Sequence, residues 1–481
     1  MKGKNNLFKI LGMFLLVVIA LTWLLKGATF NEGTISVAET LQPVGIWGVF
    51  SYLWDYSYFI VAGVFFLVVS GFYGILNKTN VYQKMLMKVA KYFKGKETTF
   101  MIITVVFFAL LSALTGATVV MYIIIPLFVS ILLTLNYDKL VALSATVGAT
   151  LVGLVAGLFG ETNAAVYLKT TNLLSGANAD IFAMKDFGSF AIYRILVLVL
   201  GIIALVYFLM KYADDNKLPK KAVNKDYEDL FLVKEEKTTR PAWPMLVIFG
   251  LVVLISFLAT YAWDVIGVTF FTEITKNIME WELNGFPLLQ NIIGNIGAFG
   301  LWSLRDLMII MVIASVILVL VYKIKWTEAF SAFGKSALKM VPAVLLIWII
   351  STILLIAFSH PFYLTITDWL LGMSKGFNVV IVALSSVINS ALLTEGFYTA
   401  QFTLPALVGT YGAKSAEMIA LTSQLFSGLA MFVVPTSTTL IVGLYYLEIP
   451  FVEWLKFIWK YLVMLLVIIA VVLILMNANV F

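Results

Sequence analysis

What most limits the folds open to this chain is how often it turns apolar for the thickness of a bilayer. Runs of that kind occupy 10–25, 58–76, 140–159, 192–210, 245–261, 307–322 and 342–358, with further ones at 377–393, 397–408, 416–434 and 461–475. A helix crosses the hydrocarbon core in about 20 residues, and no soluble interior accommodates so many such runs. With 62% of residues hydrophobic and 12% charged, against about half and about a quarter in globular chains, the bilayer is the solvent for most side chains. The expectation is an all-α polytopic protein of the plasma membrane with about 11–13 membrane segments.

The formal charge of +6 does not point to a nucleic-acid partner, because the lysines gather in short loops beside apolar runs. Lys2, Lys4 and Lys9 precede the first run, and Lys78, Lys84, Lys88, Lys91, Lys94 and Lys96 follow the second. Basic loops stay on the cytoplasmic side, so the amino terminus is expected inside. The first run reads as a span and not as a cleaved signal, since no small-x-small site follows it. The stretch after it carries Glu32, Glu39 and Asp55 with only Lys26, and is expected outside. The chain has no cysteine and a single histidine, His360, which excludes disulfides, thiolate chemistry and a histidine metal cluster.

From Phe100 to Leu135 the chain is apolar throughout. One helix of that length would measure about 54 Å, nearly twice a hydrocarbon core of about 30 Å. LTGATVV at 114–120 and Pro126 divide it into two short spans or a re-entrant hairpin. Residues 211–241, with eight basic and seven acidic side chains and with Pro219 and Pro241 near the two ends, read as a cytoplasmic linker. The chain thus divides into a first transmembrane half at 1–211, the linker at 212–241 and a second half at 242–481. NGFPLLQNIIGNIGAFG at 284–300 is too short and irregular for an ordinary span.

The two halves share a pattern. Residues 122–163 and 402–438 each contain a proline-bearing apolar run, a turn with Tyr137 or Tyr411 near a lysine, a small-residue helix and a terminal polar break, GETN at 160–163 or PTST at 435–438. Lysine placement puts Tyr137 inside and Tyr411 outside, as an inverted-repeat secondary transporter with discontinuous helices and re-entrant hairpins requires. A helix that stops within the membrane frees backbone N–H or C=O groups, and these hold a carboxylate or a cation. Glu161, Thr162 and Asn163, and Pro435, Thr436, Ser437 and Thr438, are the candidate ligands at the breaks. Thr115 and Thr118 in the first half, and Asn389, Ser390 and Glu395 in the second, are candidates beside them. A turn at the membrane surface and helix packing through hydroxyl residues are the competing readings. For Glu161 the choice lies between binding a cation or proton in the membrane and sitting in external water.

No phosphate-binding loop, HExxH motif or nucleophilic triad occurs, so neither an enzyme nor an internally powered pump is expected. A saturable carrier of small organic anions (di- or monocarboxylates) or amino acids, working by alternating access, is the preferred reading. A channel-like permease and a membrane-embedded enzyme remain as alternatives.

GLAMFVVPTSTTLIVGLYYLEIPFVEWLKFIWKYL at 428–462 resembles the corresponding stretch of the YfcC family, C4-dicarboxylate anaerobic carrier-like proteins of the ion transporter superfamily. Pro435, Thr436 and Ser437 match the family's Pro-Thr-Ser break, and Pro450, Trp454, Lys456 and Phe457 match the pattern that follows. LNYDKLVALSATVGATLVGLVAG at 135–157 resembles its first-half turn and small-residue helix. The resemblance implies two inverted halves, a site between opposing helix breaks, cation-coupled symport or antiport of small organic anions or amino acids, and, from the transporter architecture it suggests, a homodimer. In the working mechanism a Na⁺ ion held by backbone carbonyls and Thr or Asn oxygens is the coupling ion, with no other cofactor. Proton coupling through Glu161 or Glu395 is the competing version. The chain departs from the family at the first break, where Asn-Pro-Phe is replaced by Glu161, Thr162 and Asn163, and before the second, where Asp-Gly-Leu-Thr-Asn is replaced by Ser427 to Met431.

Overall fold

The computed structural model describes residues 2–31, 34–55, 57–158, 184–218, 238–261, 263, 267–283, 285–294, 296–394 and 396–478. The first half runs through α1 (Lys2–Leu24), an antiparallel hairpin of β1 (Ala28–Asn31) and β2 (Thr34–Val37), and α2 (Ile46–Asp55). Next come α3 (Ser57–Lys78), α4 (Val81–Phe93), α5 (Glu97–Thr115), α6 (Ile125–Thr134) and α7 (Lys139–Ala156). Helix α7 contains a π-helical turn at Ser144–Gly148. Helix α8 (Met184–Asp215) precedes the linker, followed by α9 (Trp243–Thr260), α10 (Phe270–Met279), α11 (Leu288–Ile293), α12 (Leu304–Val321) and α13 (Trp326–Leu338). The remainder is α14 (Val341–Ser359), α15 (Phe362–Leu371), α16 (Val379–Leu393), α17 (Gly396–Tyr411), α18 (Ala416–Ala430), α19 (Thr438–Leu447) and α20 (Phe451–Asn477).

Among the described residues nine helices are long and apolar enough to cross a membrane: α1, α3, α5, α7, α8, α9, α12, α14 and α20. Helices α6, α16 and α19 are apolar but shorter, so the long run from Phe100 divides at Gly116 into α5 and α6. The protein is thus an almost all-α, multi-spanning membrane protein. Among its described residues the stretch 284–300 holds the short α11 and one strand of a bridge between Leu283 and Phe286, in keeping with its glycines and asparagines. The last helix begins ten residues before the run at 461, because Pro450 fixes a helix start and Trp454, Phe457 and Ile458 bury the early turns.

Local chemistry sets the boundaries. Pro126, Pro244 and Pro342 sit in the first turns of α6, α9 and α14, where a missing N–H costs nothing. The Asp138 carboxylate accepts from Val141 N at 2.8 Å to start α7, and Asn378 Oδ1 accepts from Val380 N at 2.9 Å to start α16. Ser303 and Asp306 form a capping box at α12. Helix α13 packs along the end of α3, tied by Ser70 Oγ donating to Ser336 O at 2.6 Å and by the Lys78–Glu328 pair at 3.0 Å.

The β-hairpin joins the first half to the second. Ala28 N donates to Pro361 O at 3.2 Å, and Thr365 Oγ1 donates to Lys26 O at 2.6 Å. Beside it, just past the end of α14, the Tyr52 hydroxyl lies 3.0 Å from His360 Nε2. Burial pushes the His360 imidazole below its ordinary pKa, so the folded protein holds it neutral. The unfolded chain therefore takes up the proton first as pH falls. Stability contributed by the neutral ring is complete above the ordinary histidine value, about 6.5, and declines as pH drops from there toward the lower folded value. Thermal unfolding in detergent between pH 7.5 and 5 should show this decline in the native protein and a flatter profile in His360→Asn.

Candidate functional site

Helices break at several points among packed neighbours. Helix α5 ends at Gly116, left-handed at φ +67, whose N–H returns to Ser112 O at 2.8 Å. Residues 117–119 then lead into a 3₁₀ turn at Val120–Ile123 before α6. Helix α7 ends at Gly157, also left-handed, and Leu158 N donates to Ala113 O at 2.7 Å. In the second half α16 ends at Thr394 with φ +61, a conformation that a β-branched residue adopts only when its surroundings enforce it. Helix α18 ends at Ala430, and irregular turns through Pro435 precede α19.

Side chains from distant segments hold these breaks together. Thr439 Oγ1 donates to Thr118 Oγ1 at 3.1 Å, so the α19 start touches the first break directly. The Tyr122 hydroxyl donates to Thr439 O at 2.5 Å. Thr436 Oγ1 donates to Ala391 O at 2.7 Å, and the fully buried Trp454 donates from its indole N–H to Phe432 O at 2.9 Å. Between α7 and its neighbours the backbones nearly touch. A Cβ on Gly153 would stand 2.3 Å from Ala109 O, and one on Gly428 2.5 Å from Val155 Cα.

The breaks enclose a cavity of about 260 Å³ lined by Gly116, Thr118, Thr394, Ser437, Thr438 and Thr439, with Ser303, Ser351 and Trp302 on its far wall. That is slightly below the range of pockets for drug-sized ligands and suits a small metabolite. Its described lining carries no charged side chain and is mainly apolar, with Leu151, Leu154, Ile347 and Ile350 beside the hydroxyl residues. Ser437 is extended and makes no side-chain cap, and Ser437, Thr438 and Thr439 line the cavity, so the N-terminus of α19, the positive end of its dipole, lies at the cavity wall.

Of the residues singled out in the sequence, Thr118, Ser437 and Thr438 line this cavity. Thr115 lies just before it, with its hydroxyl on Leu111 O at 2.7 Å. Pro435 and Thr436 form the turn behind it, Thr436 fully buried. Asn389 and Ser390 lie within α16 beneath the break. Asn389 Nδ2 donates to Thr367 Oγ1 at 2.9 Å and Thr403 Oγ1 at 3.1 Å, and Ser390 meets Thr399 at 3.2 Å. Glu161, Thr162, Asn163 and Glu395 lie outside the described residues.

Three further residues belong to this region, and a fourth is buried in α8. Thr394 and Thr439 line the cavity. Gln424 reaches from α18 to the end of α7, and Arg194 is the one charged side chain that is buried among the described residues, at 0% exposure. Arg194 carried a readable signal: it is a base three positions into the apolar run of α8, and ionisable residues within spans mark function by default. Thr394 carried none, because its break depends on tertiary packing. Among the described residues no group of acids and histidine is arranged to hold a metal ion.

The second break depends on the Trp454 indole. Trp454→Phe keeps most of the packing and removes the donor from a buried carbonyl, a loss of about 1–3 kcal/mol. A lower thermal unfolding midpoint than that of the native protein in the same detergent should follow.

Among known families, the model for the C4-dicarboxylate anaerobic carrier matches residues 56–478. No curated protein sequence matches the chain. Among solved structures, the chain is similar to the Alcanivorax borkumensis YdaH transporter, whose crystal structure reveals an unusual topology, at 12% identity over 98% of this chain and 99% of that one, with a TM-score of 0.42.

Proposed function

The chain belongs to the C4-dicarboxylate anaerobic carrier family, and from that premise we propose that it moves a small dicarboxylate across the plasma membrane as a secondary transporter. One carboxylate of the substrate docks at the N-terminus of α19, against the hydroxyls of Ser437, Thr438 and Thr439. The observation that carries this reading is the α19 N-terminus, where Ser437 makes no side-chain cap and Ser437, Thr438 and Thr439 line a cavity with no charged side chain in its described lining. An anion gains there from the helix dipole and from the hydroxyls. A cavity of about 260 Å³ favours a short diacid over a bulky solute.

Alternating access follows from how the breaks are built. The order helix, break, helix, turn, helix, break occurs in α5–α7 and again in α16–α19, which supports two inverted halves joined by the linker at 212–241. Thr118 and Thr439 tie the two sets of breaks, so they move as one unit against helices such as α3 and α14. The lysines of α4 and the loops beside it favour a cytoplasmic amino terminus. The chain works as a homodimer, as the family resemblance implies. Coupling is to a sodium ion held by carbonyls and by neutral Thr or Asn oxygens at the breaks. Proton coupling through Glu161 or Glu395 would instead give flux that follows pH and ignores sodium.

Counterflow in proteoliposomes, with C4-dicarboxylates, citrate and amino acids each tested with and without sodium, decides among these. Saturable exchange of a C4-dicarboxylate is expected, and linear unsaturable flux would overturn the carrier reading. Ser437→Ala and Thr438→Ala should each raise the half-saturating substrate concentration by about tenfold, the loss of one hydrogen bond to a charged group, with little change in unfolding temperature. Thr436→Ala, which removes a link to Ala391, should lower the unfolding temperature instead. Native affinity in both Ser437→Ala and Thr438→Ala would remove α19 from the site.

A further inference from the structure

A helix ending inside a membrane leaves its last carbonyls without partners at the negative end of its dipole, where they require donors or a cation. At the end of α7 one side chain from the other half meets this need. Gln424 Nε2 lies 2.9 Å from Ala156 O, 3.1 Å from Gly157 O and 3.5 Å from Val155 O, and the residue is 2% exposed. The Gln424 Oε1 atom has no hydrogen-bond partner, so the donor side alone fixes the amide. Gly428, one turn further along α18, sits against Val155 so closely that the helix delivering Gln424 has no room to turn or retreat.

We infer that Gln424 permanently fills the place a coupling cation would take at the end of α7. Gln424 is thus a positioning residue that confines ion coupling to the second-half breaks. This inference rests on the transport reading for its meaning but not for its test. An amide serves those carbonyls at any ion concentration, whereas a carboxylate in its place has no donor and must recruit a cation or a proton.

The first readout is the unfolding temperature of purified, substrate-free protein in sodium, potassium or choline chloride at equal ionic strength, from pH 5 to 8. It is independent of transport, so a carrier that moves no dicarboxylate leaves it intact. Gln424→Glu should gain a saturable stabilisation by sodium or by acid that the native protein lacks. Gln424→Lys, a donor of similar reach, should show no such gain. Gln424→Met, of similar length without a donor, should unfold at a lower temperature than Gln424→Lys, a comparison that stands if the glutamate variant does not fold. In proteoliposomes the native protein should show a Hill coefficient for sodium no greater than one. Identical ion and pH profiles in the native and Gln424→Glu proteins, equal unfolding temperatures for the Met and Lys variants, or a native sodium coefficient near two would each overturn the inference.

Discussion

A backbone carbonyl or N–H that leaves a helix inside hydrocarbon must find a partner within the protein. The rest of this structure depends on that requirement. Four helices end among packed neighbours, and each end is met by a group from elsewhere: Leu158 N reaches Ala113 O, Thr436 reaches Ala391 O, Trp454 reaches Phe432 O, and Gln424 reaches the last carbonyls of α7. At the start of α19 Ser437 makes no side-chain cap, and Ser437, Thr438 and Thr439 line the cavity beside it.

Close helix packing makes these partnerships possible. Lipid tails are as apolar as the side chains they would replace, so small residues that let backbones approach contribute more than large ones. Gly153 brings α7 onto α5, and Gly428 brings α18 onto α7. Ser112 Oγ donates to Thr150 O at 2.7 Å across the first of these contacts. The three helices form one packed body around the first break, while longer helices such as α9, α12 and α20 keep broad apolar faces for lipid, with Leu254, Ile313 and Val467 exposed.

Much of this was legible in the amino-acid sequence. Lengths of apolar runs anticipated the long helices, and the excess length from Phe100 to Leu135 anticipated the division at Gly116, because bilayer thickness is a fixed ruler. The PTST break was readable because proline and hydroxyl residues interrupt an apolar run with no loop around them. Thr394 was not, since it ends α16 in a conformation that only its packing enforces. Gln424 was passed over as one amide in a small-residue helix, because its partners lie more than 260 residues away in the chain. The β-hairpin was unforeseen as well, its four-residue strands being too short for alternation to stand out and its docking depending on Pro361 and Thr365.

The π-helical turn at Ser144–Gly148 acts on α7 as a change of phase. Upstream of and within the turn, Leu143 and Val147 face Gly443 of α19; beyond it, Gly153 faces α5 and Val155 faces Gly428. A π turn takes up one more residue than an α turn, and each residue of an α-helix rotates the next by about 100°. Loss of a single residue there would leave a more regular helix while swinging every later contact about a quarter-turn out of alignment. The least regular turn of α7 therefore sets the angular register by which its far end meets both halves of the protein.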